Sequence, residues 1–123
     1  ASKAIGEIIS SLKGRLVGVA MRVPKPNVSL AELVFCTKKN LTVESINNAF
    51  QEYIDKQKKS VLSLTFEKLV SIDFNHNPAS SIIDGSLTNV VGNNMGKISA
   101  WYDNEWGFSN RMCDIAEYLH NNS

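Results

Sequence analysis

With 123 residues, 43% of them hydrophobic, the chain is long enough for one domain that buries roughly two thirds of its unfolded surface. Thirteen basic residues against twelve acidic ones leave a net charge of +1 spread along the sequence, which makes no basic stripe for nucleic acid. No apolar run approaches the ~20 residues that cross a bilayer, and no secretory signal is visible. The sequence therefore predicts no nucleic-acid or membrane partner.

In chain order, Ile5, Ile8, Ile9 and Leu12 fall on one apolar face of a helix that Gly14 can end. Residues 16–23 and 28–37 are β-rich runs separated by Pro24-Lys25-Pro26-Asn27, whose two prolines force extended or turn geometry. Thr42 is a good N-cap with Glu44 in the first turn, and Val43, Ile46, Phe50, Tyr53 and Ile54 make the stripe of a second helix. A basic loop at residues 56–59 follows. Short strands are predicted near 61–64, 69–74, 80–83 and 87–90, punctuated by Asn75-His76-Asn77-Pro78, Asp84-Gly85 and Gly92-Asn93-Asn94. A strand at 97–103 leads to a closing helix from about Ser109, with Met112, Ile115, Ala116 and Leu119 inward.

Neither long strand alternates cleanly. In 28–37, Leu30 and Val34 point one way and Ala31, Leu33 and Phe35 the other; 16–23 is apolar on both faces apart from Arg22. Helices can cover one face of such a sheet, so a second cover is expected. Extra core packing under loops would supply it; we favour a partner sheet, from another subunit or from chain outside these residues.

Cys36 lies in a strand-like run and Cys113 on a helical apolar face, where free cysteine acts as a small hydrophobe. No histidine or helix N-terminus beside them would lower a thiol pKa, so neither reads as a nucleophile. Two cysteines make no disulfide framework, and the composition fits a reducing, cytoplasmic setting. His76 and His120 are isolated and make no metal site; Asp73 and Asn75 read as turn formers. Arg22 ends an apolar strand, where a charge is expensive unless paired. Glu32 or Glu67 across the sheet would pair it, or it would snorkel to solvent; its fork also suits a phosphate. Asn104 sits at the corner between the last strand and the closing helix, with an amide that both donates and accepts.

The run WYDNEWGFSNR, from Trp101 to Arg111, closely resembles the C-terminal signature of glyceraldehyde-3-phosphate dehydrogenases. The opening ASKAIGEIISSLKGRLVGVAMRVP resembles the helix and strand that follow that family's cofactor domain, so the likeness covers essentially the whole chain. It implies an α+β fold, a mostly antiparallel sheet with helices on one face. It also implies that residues 1–123 form the C-terminal part of the catalytic domain. The family's nucleotide domain and its cysteine–histidine pair lie upstream of the matching stretch, so no catalytic residue is assigned here, and His76 is not the family's base.

By this resemblance Asn104 holds the nicotinamide carboxamide of NAD, and Arg22, in MRVPKPNVS, binds phosphate of the substrate or inorganic phosphate. Lys25 stands where most members carry threonine, and Phe108 where many carry a tyrosine near the nicotinamide. Phe108 would pack the corner beside Trp101 and Trp106, or wall the pocket without a hydroxyl. The implied reaction is glycolytic. It oxidises glyceraldehyde 3-phosphate with NAD and phosphate to 1,3-bisphosphoglycerate, through a cysteine thiolate, in a homotetramer joined by sheet contacts. The chain alone is expected to be inactive. An erythrose-4-phosphate dehydrogenase is the sister reading, although Pro26 and Tyr102 side with the glyceraldehyde-phosphate enzyme. A non-catalytic oligomerisation or binding module is the third.

Overall fold

The computed structural model describes residues 2–122. Its centre is an eight-residue strand, β5 (Met95–Tyr102), paired antiparallel along its whole length with β1 (Ser29–Cys36). The other edge of β5 pairs antiparallel with β3 (Ser81–Asp84) and with β4 (Asn89–Val91). β2 (Leu62–Thr65) then adds in parallel to β3, so the sheet runs β1-β5-β3-β2, mixed but mostly antiparallel. Together with the helices this is the expected α+β class.

The register sorts the side chains into two faces, because paired residues share one. Ala31, Leu33 and Phe35 line up with Ala100, Ile98 and Gly96, and through β3 and β2 with Ile83, Leu62 and Leu64. Helix α2 (Val43–Lys56) lies on this side. Its start is as predicted: Thr42 Oγ1 accepts from Ser45 N at 3.0 Å and Ser45 Oγ accepts from Thr42 N at 2.9 Å. Ile46 is buried, and Asn47 ties the helix inward by donating to Gly85 O and accepting from Thr88 Oγ1. Phe35 lies over Gly96, where an added Cβ would come within 2.6 Å of the far end of its ring, so a larger residue there would displace the ring.

The opposite face carries Trp101 and Ile82, packed with Val28, Phe74, Ala79 and Leu69 into the main core cluster. Phe74 stacks on Trp101 with ring centroids 5.3 Å apart. The segment expected as a strand at 69–74 is instead a 3-10 turn, Ser71–Phe74. Asp73 accepts from Val70 N at 2.8 Å, and this local bond favours a turn over a ladder.

Three further expectations differ. Helix α1 (Ser2–Ile8) and a 3-10 turn (Ser10–Leu12) end at Gly14, at φ 75, but their apolar face is open, with Ile5, Ile8 and Ile9 all exposed. Residues 16–23 form no strand: Val17 is 98% and Val19 92% exposed. A strand exists only where a neighbour satisfies its N–H and C=O groups, and among the described residues β1 pairs with β5 alone. The closing helix α3 (Asn104–Asn121) starts five residues before Ser109, and Met112, Ile115, Ala116 and Leu119 are exposed rather than inward. Lys59 anchors α3 through Glu117 and, at 3.4 Å, Asp114. No helix is long and apolar enough to cross a membrane among the described residues.

Candidate active-site corner

The corner between β5 and α3 is built on one carboxylate. Asp103 is 2% exposed and caps α3, its Oδ1 accepting from Trp106 N at 3.0 Å. Its Oδ2 accepts from His76 N at 3.0 Å and from Asn27 Nδ2 at 2.9 Å. Burial pushes the Asp103 carboxyl up, and the bonds from His76, Trp106 and Asn27 outweigh it, so the group is held below its ordinary value. It remains an anion inside the fold, with three donors aimed at it.

Each donor belongs to a different segment. Trp106 is in the first turn of α3, His76 in the loop after the 3-10 turn, and Asn27 at the end of the Pro-Lys-Pro-Asn turn. His76 adopts φ 59, which few non-glycine residues tolerate, and its ring lies 4.5 Å from that of Trp106. Gly107 completes the seat: a Cβ there would sit 3.2 Å from Ala79 O, so the helix approaches this loop as closely as it does because position 107 is bare. Arg111 then reaches Ser80 Oγ at 3.2 Å and pairs with Asp114 at 2.8 Å.

Asn104 is the first residue of α3 and is exposed. Its side chain makes no hydrogen bond among the described residues, leaving both the donor and the acceptor of its amide open. A cleft of about 190 Å³ at the corner is bounded by Asn27, His76, Asp103, Glu105, Trp106 and Ser109, and Asn104 is not among its lining residues. Such an uncommitted amide on a fixed backbone offers a donor–acceptor pair complementary to another amide.

Arg22 is exposed on the unpaired segment and makes neither expected ion pair. Glu32 is taken by Lys97 at 2.7 Å, whose hydrogen bond holds the Glu32 carboxyl below its ordinary value, and Glu67 makes no ion pair among the described residues. Its guanidinium is free to meet an anion. Lys25, three residues on, lies over the Trp101 ring, 5.4 Å from its centroid. Phe108 is exposed, and the corner packing expected of it is done by Phe74 on Trp101 and His76 on Trp106. Cys36 and Cys113 are free thiols, both exposed rather than buried as expected. Among the described residues no group of three His, Cys, Asp or Glu side chains is placed to hold a metal.

Sequence reasoning passed over Asp103 and Asn27, the two side chains that organise the corner. The signal was present: an aspartate between a strand and a helical run is an N-cap pattern.

Residues 1–104 match the family model described as glyceraldehyde 3-phosphate dehydrogenase, C-terminal domain, a match that ends on Asn104 itself. The chain belongs to the glyceraldehyde-3-phosphate dehydrogenase family. It is similar to a chloroplastic glyceraldehyde-3-phosphate dehydrogenase of Arabidopsis thaliana, 46% identical over 99% of this chain and 31% of that protein. It is also similar to glyceraldehyde-3-phosphate dehydrogenase 2 of Synechocystis, 47% identical over 99% of this chain and 36% of that protein. The enzyme of Cereibacter sphaeroides is 50% identical over 94% of this chain and 35% of that protein. The chain thus spans about a third of the length of the curated relatives it matches.

Proposed function

We propose that this chain works as the C-terminal part of the catalytic domain of a phosphorylating, NAD-dependent glyceraldehyde-3-phosphate dehydrogenase. The full-length protein would be a cytoplasmic glycolytic enzyme and a homotetramer, taking glyceraldehyde 3-phosphate and inorganic phosphate to 1,3-bisphosphoglycerate. The observation that carries this reading is the Asp103–Asn104 corner. A buried, triply bonded cap fixes the helix start, and the next residue presents a free amide outward.

NAD, when bound, supplies the hydride acceptor. This chain's part is to orient and to anchor. Asn104 would fix the carboxamide and so decide which nicotinamide face meets the substrate. Arg22 would hold a phosphate through its two-pronged donor set, which lysine cannot copy. Cys36 and Cys113 are exposed free thiols with no hydrogen-bond partner among the described residues, which supports a nucleophile and base from outside these residues. Pro26 and Tyr102 support the glyceraldehyde-phosphate enzyme over its erythrose-phosphate sister.

Paired kinetics on the full-length enzyme test the two roles. Hydrogen bonds to a charged group are worth about 1.5–3 kcal/mol. Arg22→Ala should therefore cut turnover of the phosphorylated aldehyde far more than that of an unphosphorylated one, with NAD affinity nearly intact. Asn104→Ala should slow hydride transfer and leave the phosphate dependence in place. If Arg22→Ala weakened both aldehydes equally, the arginine would not be the phosphate anchor.

A further inference from the structure

The Asp103 carboxylate does more than cap a helix. Asn27 Nδ2 donates to Asp103 Oδ2 at 2.9 Å and also to Asn75 Oδ1 at 2.6 Å, so the end of the Pro-Lys-Pro-Asn turn is clamped between the corner and the His76 loop. Between Arg22 and Asn27 the chain runs Val23-Pro24-Lys25-Pro26. Two of those four residues have φ locked by a pyrrolidine ring, and each proline also restricts the residue before it. The Lys25 ammonium over Trp101 pins the same stretch a second time. What fixes Asn27 therefore also fixes the direction in which Arg22 leaves the fold. On the other side, the same carboxylate sits one residue before Asn104 and receives Trp106 N.

We propose that Asp103 is a positioning residue that sets Arg22 and Asn104 in one frame, so that phosphate anchoring and nicotinamide orientation are mechanically coupled through Asn27–Asp103. The proposal deepens the functional reading above and rests on it for the roles of Arg22 and Asn104. A helix cap alone would need only the bond from Trp106 N. The second oxygen of Asp103 is instead spent on His76 and Asn27, neither of which belongs to α3. His76 makes its bond from the left-handed region, a conformation that persists where surrounding contacts over-determine it.

The coupling has a graded test in the full-length protein. Asp103→Asn keeps the shape but turns one oxygen into a donor facing the donors of its neighbours, so ties on both sides loosen. Asn27→Ala, at a less buried site, releases only the Arg22 side. Amide hydrogen exchange should speed up in both 22–28 and 104–108 for Asp103→Asn, and in 22–28 alone for Asn27→Ala. KM for phosphate should rise with both variants, by about tenfold to a hundredfold for Asp103→Asn, as expected for a displaced positioning contact. NAD affinity should fall only with Asp103→Asn. Asn27→Ala added to Arg22→Ala should raise the phosphate KM no further. Unchanged exchange in 22–28 for both variants, or an Asn27→Ala effect on NAD as large as on phosphate, overturns the proposal. If exchange responds as stated while Arg22→Ala leaves the phosphate dependence untouched, the coupling stands and the assignment of Arg22 falls.

Discussion

The β5–α3 corner and the segment from α1 to Lys25 carry the two halves of the proposed site, and they are built in opposite ways. At the corner the buried polar groups find partners inside the chain: Asp103 collects three donors and Trp101 Nε1 donates to Asp84 Oδ2 at 3.1 Å, while the exposed amide of Asn104 stays open. Along the opening segment the reverse holds. Ile8, Val17, Val19 and Met21 present bare apolar surface, and residues 16–23 lack a strand neighbour among the described residues. A sequence rich in β-branched residues does not become a strand by composition; it needs an edge to pair with. The corner is self-sufficient, whereas the Arg22 arm has the composition of a strand awaiting its cover.

The largest expected effect follows from that contrast. The 123-residue chain purified alone keeps the corner but lacks a covered Arg22 arm and a thiol flanked by a base. It should fall several orders of magnitude short of the full-length enzyme, since nucleophile and base act as a unit. Steady reduction of NAD with glyceraldehyde 3-phosphate and phosphate, abolished by Cys36→Ser, would break this expectation.

Next comes the corner itself. Asp103→Ala strips a buried cap and leaves the N–H groups of His76 and Trp106 and the amide of Asn27 without their acceptor. Hydrogen bonds to a charged group are worth about 1.5–3 kcal/mol each and caps about 1, so a loss of about 3 kcal/mol or more in unfolding free energy is expected. Folding holds this carboxyl below its ordinary value. Its contribution is therefore whole above the unfolded aspartate value of about 3.9 and is lost as pH falls through the lower folded value. Urea unfolding from neutral pH into that acid window should show the decline in the parent and not in Asp103→Ala. A parallel decline in both would assign it to other carboxylates.

The same two regions show what could be read in advance. The cap and stripe of α2 and the positions of β1, β2, β3 and β5 were legible, because local spacing and turn residues determine them, and the α+β class came from the family resemblance. The long-range choices were not. Periodicity made Met112, Ile115, Ala116 and Leu119 a buried face and 16–23 a strand, yet burial depends on what lies opposite, which no window of a single sequence contains. Arg22 and Asn104 were singled out by chemistry and resemblance. Asp103 was passed over because its role comes from Asn27 and His76, 76 and 27 positions away.

A smaller effect concerns the uncovered surface. Leu30 and Val34 share one face of β1, Leu33 the other, and all three are exposed, as is the apolar face of α1. The isolated chain should self-associate as its concentration rises, and charged substitutions at Val17 and Val19 should weaken association while changing its unfolding free energy by no more than about 0.5 kcal/mol. Sedimentation across a concentration series checks this. A monodisperse 13.6 kDa species at millimolar concentration would mean the second face needs no partner.

The smallest effect sharpens the comparison by changing the solvent rather than the site. Lys59 links α3 to the loop after α2 through Glu117 and Asp114, and its ammonium is held above its ordinary value chiefly by the Glu117 hydrogen bond, against some desolvation. The sign is opposite to that of Asp103: the ion pair is intact below the ordinary lysine range and lost as pH rises through the higher folded value. Both side chains of the Lys59–Glu117 pair are about half exposed, so the attraction is screened and the ordering of two long side chains offsets much of it. Lys59→Met should therefore destabilise the chain only slightly at low salt. The difference from the parent should vanish once the Debye length shrinks to about 3 Å near 1 M salt, whereas the Asp103→Ala deficit, set by buried hydrogen bonds, should persist. Equal salt sensitivity in the two variants would mean that the corner is held by surface charge after all, and that the distinction between a self-sufficient corner and an exposed periphery does not hold.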